Sequence, residues 1–106
     1  MKIKIIITTT DSKKTANDIA EYLVKDNLSP CVQIVPNIQS VYKWKGELDK
    51  SGEIMLLIKT ISENVQDCKE LILKYHNYDV PEIVLTDGDI LNDAYRDWFI
   101  ENTQKI

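Results

Sequence analysis

The sequence contains one arginine, Arg96, and one histidine, His76. A single guanidinium rules out the several paired forks that clamp phosphate or carboxylate groups. The single imidazole sits near no nucleophile elbow, and neither Cys31 nor Cys68 has an activating neighbour in sequence, so no Ser-His-Asp or Cys-His device is readable. The two cysteines lack CxxC spacing and are too few for a disulfide scaffold; they read as two buried thiols. Neither glycine-rich nucleotide motif occurs, the P-loop or the dinucleotide fingerprint. Three glycines and three prolines fall between periodic segments, leaving no linker, repeat or low-complexity tract. The longest apolar run, Ile54 to Ile58, is far short of the roughly 20 residues of a membrane span. Basic residues are also outnumbered, 13 against 17 acidic, for a net charge of −4. Such a balance excludes a nucleic-acid binder, which needs a basic face.

What is present suits one domain, residues 1–106. The chain is 43% hydrophobic and 28% charged, an ordinary globular balance. A chain of this length buries roughly two thirds of its unfolded surface, enough for one core without staples. The apolar start, Met1 to Ile7, is too short and too interrupted for a signal peptide, so the expected compartment is the cytoplasm.

Lys2 to Thr9, rich in isoleucine and threonine, reads as a central strand apolar on both faces. Asp11 or Ser12 is placed to cap a helix, whose buried stripe is Ala16, Ile19, Ala20, Leu23 and Val24. Cys31 to Lys45 reads as a long strand interrupted by a bend or bulge at Pro36-Asn37. Lys45-Gly46 is a hairpin turn, with a competing turn signal at Asp49 to Gly52 that leaves the register open. Glu47 to Thr60 returns as the third strand. Ser62 caps a second helix with Val65, Cys68, Leu71, Ile72 and Tyr75 inward. Val80 to Thr86 is the fourth strand, and Asp87-Gly88-Asp89 a turn. Asn92 caps a last helix with Leu91, Ala94, Tyr95, Trp98 and Phe99 inward. The order βαββαβ plus a C-terminal helix predicts a ferredoxin-like α+β sandwich, its antiparallel sheet covered by helices on one face.

Two regions suggest binding. The hairpin is long for so small a sheet, so its tip projects, carrying Tyr42 and Trp44; these rings either fold back on their own core or are covered by another subunit. The segment Tyr75 to Glu82 holds His76 with Asp79 and Glu82 nearby, possible nitrogen and oxygen donors at a spacing that matches no structural zinc pattern. A solvated or helix-end role is the ordinary one for such a histidine. Thr8 to Asp11 could offer hydroxyls and helix N-terminal amides to an anion, although strand propensity and a cap account for them. Lys59 either snorkels to the surface or sits in a cleft facing Glu82.

The segments Cys31 to Pro36, Tyr42 to Gly46, Ile58-Lys59-Thr60 and Tyr78 to Ile83, with Asn92 and Tyr95 to Trp98, resemble the CutA divalent-cation-tolerance family, in order and over nearly the whole chain. The resemblance implies a sandwich similar to PII signal proteins, assembled as a homotrimer through the long hairpin strands. It also implies a non-enzymatic role in response to divalent metal ions, with copper or another divalent cation as the bound ion. Of the family's copper ligands only His76 has a counterpart here. Thr8 stands at the cysteine position, and Tyr75 replaces the first of two histidines. Asn37 stands where the family usually has glycine, a mild change because asparagine tolerates the left-handed conformation.

A PII-like sensor of a small anionic metabolite in clefts between subunits is the alternative, lined by Thr9, Trp44, Lys59, Tyr78 and Glu82. A hydrolase of the acylphosphatase kind ranks last. It would want an arginine in the first strand-to-helix loop, where Lys13 and Lys14 stand. Step from fold to role is analogy in each case.

Overall fold

A computed structural model describes residues 1–104. Strand β1, Lys2–Thr10, is followed by helix α1, Lys13–Lys25. The hairpin is β2, Cys31–Trp44, and β3, Glu47–Thr60. Helix α2, Val65–Tyr75, strand β4, Val84–Asp89, and helix α3, Asp93–Glu101, complete the described elements. The sheet order is β2-β3-β1-β4, with every neighbouring pair antiparallel. This is the α+β sandwich expected from the element order.

Residues alternate across the sheet, so β1 serves two faces. Ile6, paired with Ile58, belongs to the main core with Leu56, Ile19, Leu23 and Ile72, all essentially sealed from solvent. Both α1 and α2 cover this face. Ile3 and Ile5 point the other way, into a smaller cluster with Ile61, Phe99 and Tyr95. The third helix therefore lies across one end of the opposite face, which corrects the expectation of helices on one face only. Beyond α3 that face is open. Ile7, Met55 and Leu57 are half-buried there, and Val35 and Val84 are exposed.

Several local expectations need correction. Strand β4 starts later and ends later than Val80 to Thr86, because Asp87 to Asp89 continue the ladder opposite Lys4, Ile3 and Lys2. Lys2 Nζ reaches Asp89 at 2.8 Å, and Lys4 reaches Asp87. Position 88, opposite Ile3 in the ladder, suits glycine because a Cβ there would meet Ile5 Cδ1 at 3.0 Å and Ile3 Cγ1 at 3.2 Å. Pro81 lies before the strand, where its missing amide costs no ladder bond. Ser62 opens a short 3-10 turn, Ser62–Asn64, and α2 begins after it without a side-chain cap. Val24 is exposed, since the apolar stripe of α1 has drifted off the core by its last turn. Helix α3 buries only Phe99 and part of Tyr95; Leu91, Ala94 and Trp98 stay exposed because the helix meets the sheet along a single narrow stripe. Cys68 is buried as expected, but Cys31, on the edge strand β2, is only half-buried.

The turn is Lys45-Gly46, with φ of 51° and 81°, the left-handed pair that matches the twist of a tight hairpin. Asp49 to Gly52 stays in the ladder, opposite Tyr42 to Gln39. A bulge between Val35 and Ile38 places Asn37 at φ 61°, the conformation asparagine tolerates. Past the bulge the hairpin leaves the body, and the molecule measures 46 × 25 × 21 Å. At its tip Leu48 is 71% and Trp44 53% exposed, so Trp44 does not fold back on its own core.

Candidate functional site

The site begins where β1 ends. Ser12 accepts from the Thr15 amide and opens α1, which leaves the C-terminal end of β1 beside the last turn of α2. There His76 takes an extended conformation and terminates the helix. Its Nε2 lies 2.9 Å from the Thr9 carbonyl oxygen. A carbonyl only accepts, so Nε2 carries the proton. The other ring nitrogen, Nδ1, accepts the Tyr78 backbone amide at 3.0 Å. Both nitrogens are thus spent in fastening the 76–82 loop to the end of β1. Asn77 adds two more ties, donating to Asp11 and accepting from Thr10 Oγ1.

With its backbone held, Tyr78 extends across the sheet and donates its hydroxyl to Glu53 Oε2 at 2.7 Å. Burial, then the hydrogen bond and charge of Glu53, push the phenol's pKa well above its ordinary value. Tyr78 is therefore a neutral donor throughout the physiological range. Between this loop and the hairpin stem runs a groove of about 770 Å³, lined by Thr9, Tyr42, Trp44, Glu53, Tyr78 and Glu82 among others.

Four of the five cleft residues expected from the sequence meet in that groove: Thr9, Trp44, Tyr78 and Glu82. Lys59 does not join them in this chain. It lies farther along the open sheet face, its Nζ 5.5 Å from the centre of the Tyr95 ring, and so does not face Glu82 across a cleft. Tyr42 and Asp79, named above for the hairpin tip and as a possible metal donor, also line the groove; Glu53 was missed. The available signal was a lone glutamate heading the apolar run Ile54 to Ile58, but the competing turn signals left its face undetermined.

The donor set can be tested against a resident copper ion. Thr8 is sealed from solvent, and Tyr75 stacks on Tyr22 with ring centres 4.6 Å apart. His76 can offer a lone pair only by releasing Tyr78 or by giving up the Thr9 bond. Among the described residues no group of three His, Cys, Asp or Glu side chains is arranged to hold a metal ion. Within one chain these residues do not fit copper, which selects imidazole and thiolate donors.

A four-stranded sandwich with a projecting hairpin and a groove at its base defines a small α+β module. Family comparison then places it. The chain belongs to the CutA1 divalent ion tolerance protein family, whose model matches residues 4–102. It is 39% identical to the divalent-cation tolerance protein CutA of Thermus thermophilus, over 94% of this chain and 97% of that protein. It is 30% identical to Protein CutA of Mus musculus and spans 59% of that longer protein. Among solved structures, the Thermus protein superposes with a TM-score of 0.88 over 97% of this chain and 99% of that one. CutA1 of Oryza sativa superposes at 0.91, with 30% identity, over 99% of this chain and 95% of that one.

Proposed function

We propose that this chain works as a homotrimer in cellular tolerance to divalent cations, in the cytoplasm and without catalysing a reaction. The family supports the role, and the two thiols, Cys31 and Cys68, suit a reducing compartment. No helix among the described residues is long and apolar enough to cross a membrane. The observation that carries the assembly is the open sheet face. Val35 and Val84 flank half-buried Ile7, Met55 and Leu57, and β2 leaves an unpaired edge beside them. An edge and an apolar face of this kind are covered in stable proteins, and closed three-fold symmetry covers them in every copy at once. Response to metal then works through weak binding at surface carboxylates, with copper held no tighter than about micromolar.

The alternative of an anionic cleft ligand loses support from the groove, whose lining includes four carboxylates and no basic side chain. Light scattering tests the assembly. The wild type should scatter as three times 12.2 kDa. The double variant Val35→Lys, Val84→Lys should scatter as a folded monomer. A wild-type monomer at micromolar concentration would contradict the proposal.

A further inference from the structure

The open face of the sheet carries two charges at opposite ends. Register and alternation place Glu53, Met55, Leu57 and Lys59 of β3 on it, beside Ile5 and Ile7 of β1. From Glu53 to Lys59, these two are the only charged side chains that the four strands turn to this face. Neither charge is answered within the chain. Lys59 is half-buried, with its Nζ 5.5 Å from the centre of the Tyr95 ring. No carboxylate among the described residues is in ion-pair contact with it. Glu53 is 8% exposed and accepts the Tyr78 hydroxyl. That phenol is neutral, so it satisfies a lone pair of the carboxylate and leaves the charge. The two cannot meet inside one copy, because their places on β3 are about 20 Å apart.

Covering this face makes both charges more costly. A charge taken out of water destabilises unless an opposite charge meets it there. The contacts of a three-fold ring run head to tail, so one part of a surface meets a different part of its neighbour. The two ends of this face are complementary in that arrangement: a lysine lacking an anion, and a carboxylate lacking a cation. Asp49, Asp79 and Glu82, the other carboxylates at the hairpin base, are exposed and stay hydrated at little cost. Glu53 is the buried one.

We propose that Lys59 of each copy forms an ion pair with Glu53 of the partner subunit, repeated at every contact of the ring. The pair rests on the trimer proposed above and adds to it the contact that fixes which end of one face meets which end of the next.

A double-mutant cycle read by light scattering over a dilution series tests this. Lys59→Met keeps the aliphatic stem, and Glu53→Gln keeps an acceptor for Tyr78. Each strands the other charge in the interface and should raise the concentration of half-dissociation about tenfold or more. The double variant strands neither charge and should do no worse than the poorer single variant. Losses that multiply in the double variant would overturn the pair and leave the trimer standing. Unchanged dissociation in either single variant would do the same, whereas a wild-type monomer would overturn both. Glu82→Gln should show no coupling to Lys59→Met; coupling there in place of Glu53 would refute the assignment. In the monomeric Val35→Lys, Val84→Lys background, the two changes should act additively on denaturation, as separated sites do. Coupling in that monomer would place the effect within one chain and overturn the pair. Should Glu53→Gln fail to fold, a zero-length carbodiimide coupling of the wild type carries the test. Chains joined through Lys59 and Glu53 are expected on a denaturing gel, and are lost with Lys59→Met. Linkage through other residues alone would overturn the pair.

Discussion

The strand β3 belongs to two different regions. From Ile54 to Thr60 it runs through the body, where Leu56 and Ile58 are wholly buried beneath α1 and α2. From Glu47 to Gly52 it runs up the hairpin, where Leu48 is 71% exposed and no helix approaches. The backbone ladder is continuous across both, opposite β2, apart from one bulge. Hydrogen bonding therefore does not distinguish the regions; burial does. The body is held by apolar contacts that a single chain completes. The hairpin and the groove at its base expose large side chains and carboxylates that a single chain leaves unsatisfied, which is the mark of surface kept for something else.

The largest effects should separate the two halves of β3. Ile58→Ala leaves a cavity in the sealed core and should cost about 2–5 kcal/mol. Leu48→Ala, measured in the same denaturant titration on the monomeric Val35→Lys, Val84→Lys background, should stay within about 0.5 kcal/mol. Similar losses at the two positions would mean that the hairpin tip packs in the monomer, and the contrast would fail.

That contrast also marks how far the sequence could be read. The body was legible because periodicity reports burial directly: Ala16, Ile19, Ala20 and Leu23 lie inward as their spacing requires. Asn37 and Lys45-Gly46 announced the bulge and the turn through backbone chemistry. The end of the sheet was not legible. Asp87-Gly88-Asp89 reads as a turn by composition, yet lysines on β1 and the close packing of Ile3 and Ile5 draw it into the ladder. In the groove, Thr9, Trp44, Tyr78 and Glu82 were named as the lining of a cleft for an anionic ligand, whereas Glu53 needed the hairpin register. His76 drew attention as a donor, but only geometry shows that its lone pair faces an amide.

A middle-sized effect should come from that histidine, which joins the body to the groove. His76→Ala removes the bonds to Thr9 and Tyr78 and should cost about 1–3 kcal/mol. His76→Asn, whose amide oxygen can take the place of Nδ1 before the Tyr78 amide, should recover part of it. If alanine and asparagine behave alike, the Tyr78 tie contributes nothing and the groove loop is held by other means.

The smallest effect concerns the far edge of the body. The Lys2 hydrogen bond and the N-terminal ammonium hold Asp89 below the ordinary carboxylate value of 3.8, and Lys4 does the same for Asp87. A depressed carboxyl contributes stability that is complete above its unfolded pKa and is lost as pH falls through the folded one. Stability should thus decline slightly below pH 3.8 through these pairs. The Lys2→Met, Lys4→Met variant should show a flatter acid limb in melts recorded between about pH 5 and 2. An acid limb as steep as the parent's would assign the decline to other carboxyls. Exposed pairs such as these are weak, so no change is expected at the groove.

The account turns on His76 holding the groove loop rather than an ion, and its ring nitrogens report this directly. A nitrogen-15 correlation spectrum of the imidazole at neutral pH should show Nε2 protonated and Nδ1 accepting. That pattern should persist when zinc is added at one equivalent per chain. A metal-shifted ring nitrogen at that ratio, with loss of the Tyr78 amide hydrogen bond, would contradict it and return His76 to the metal.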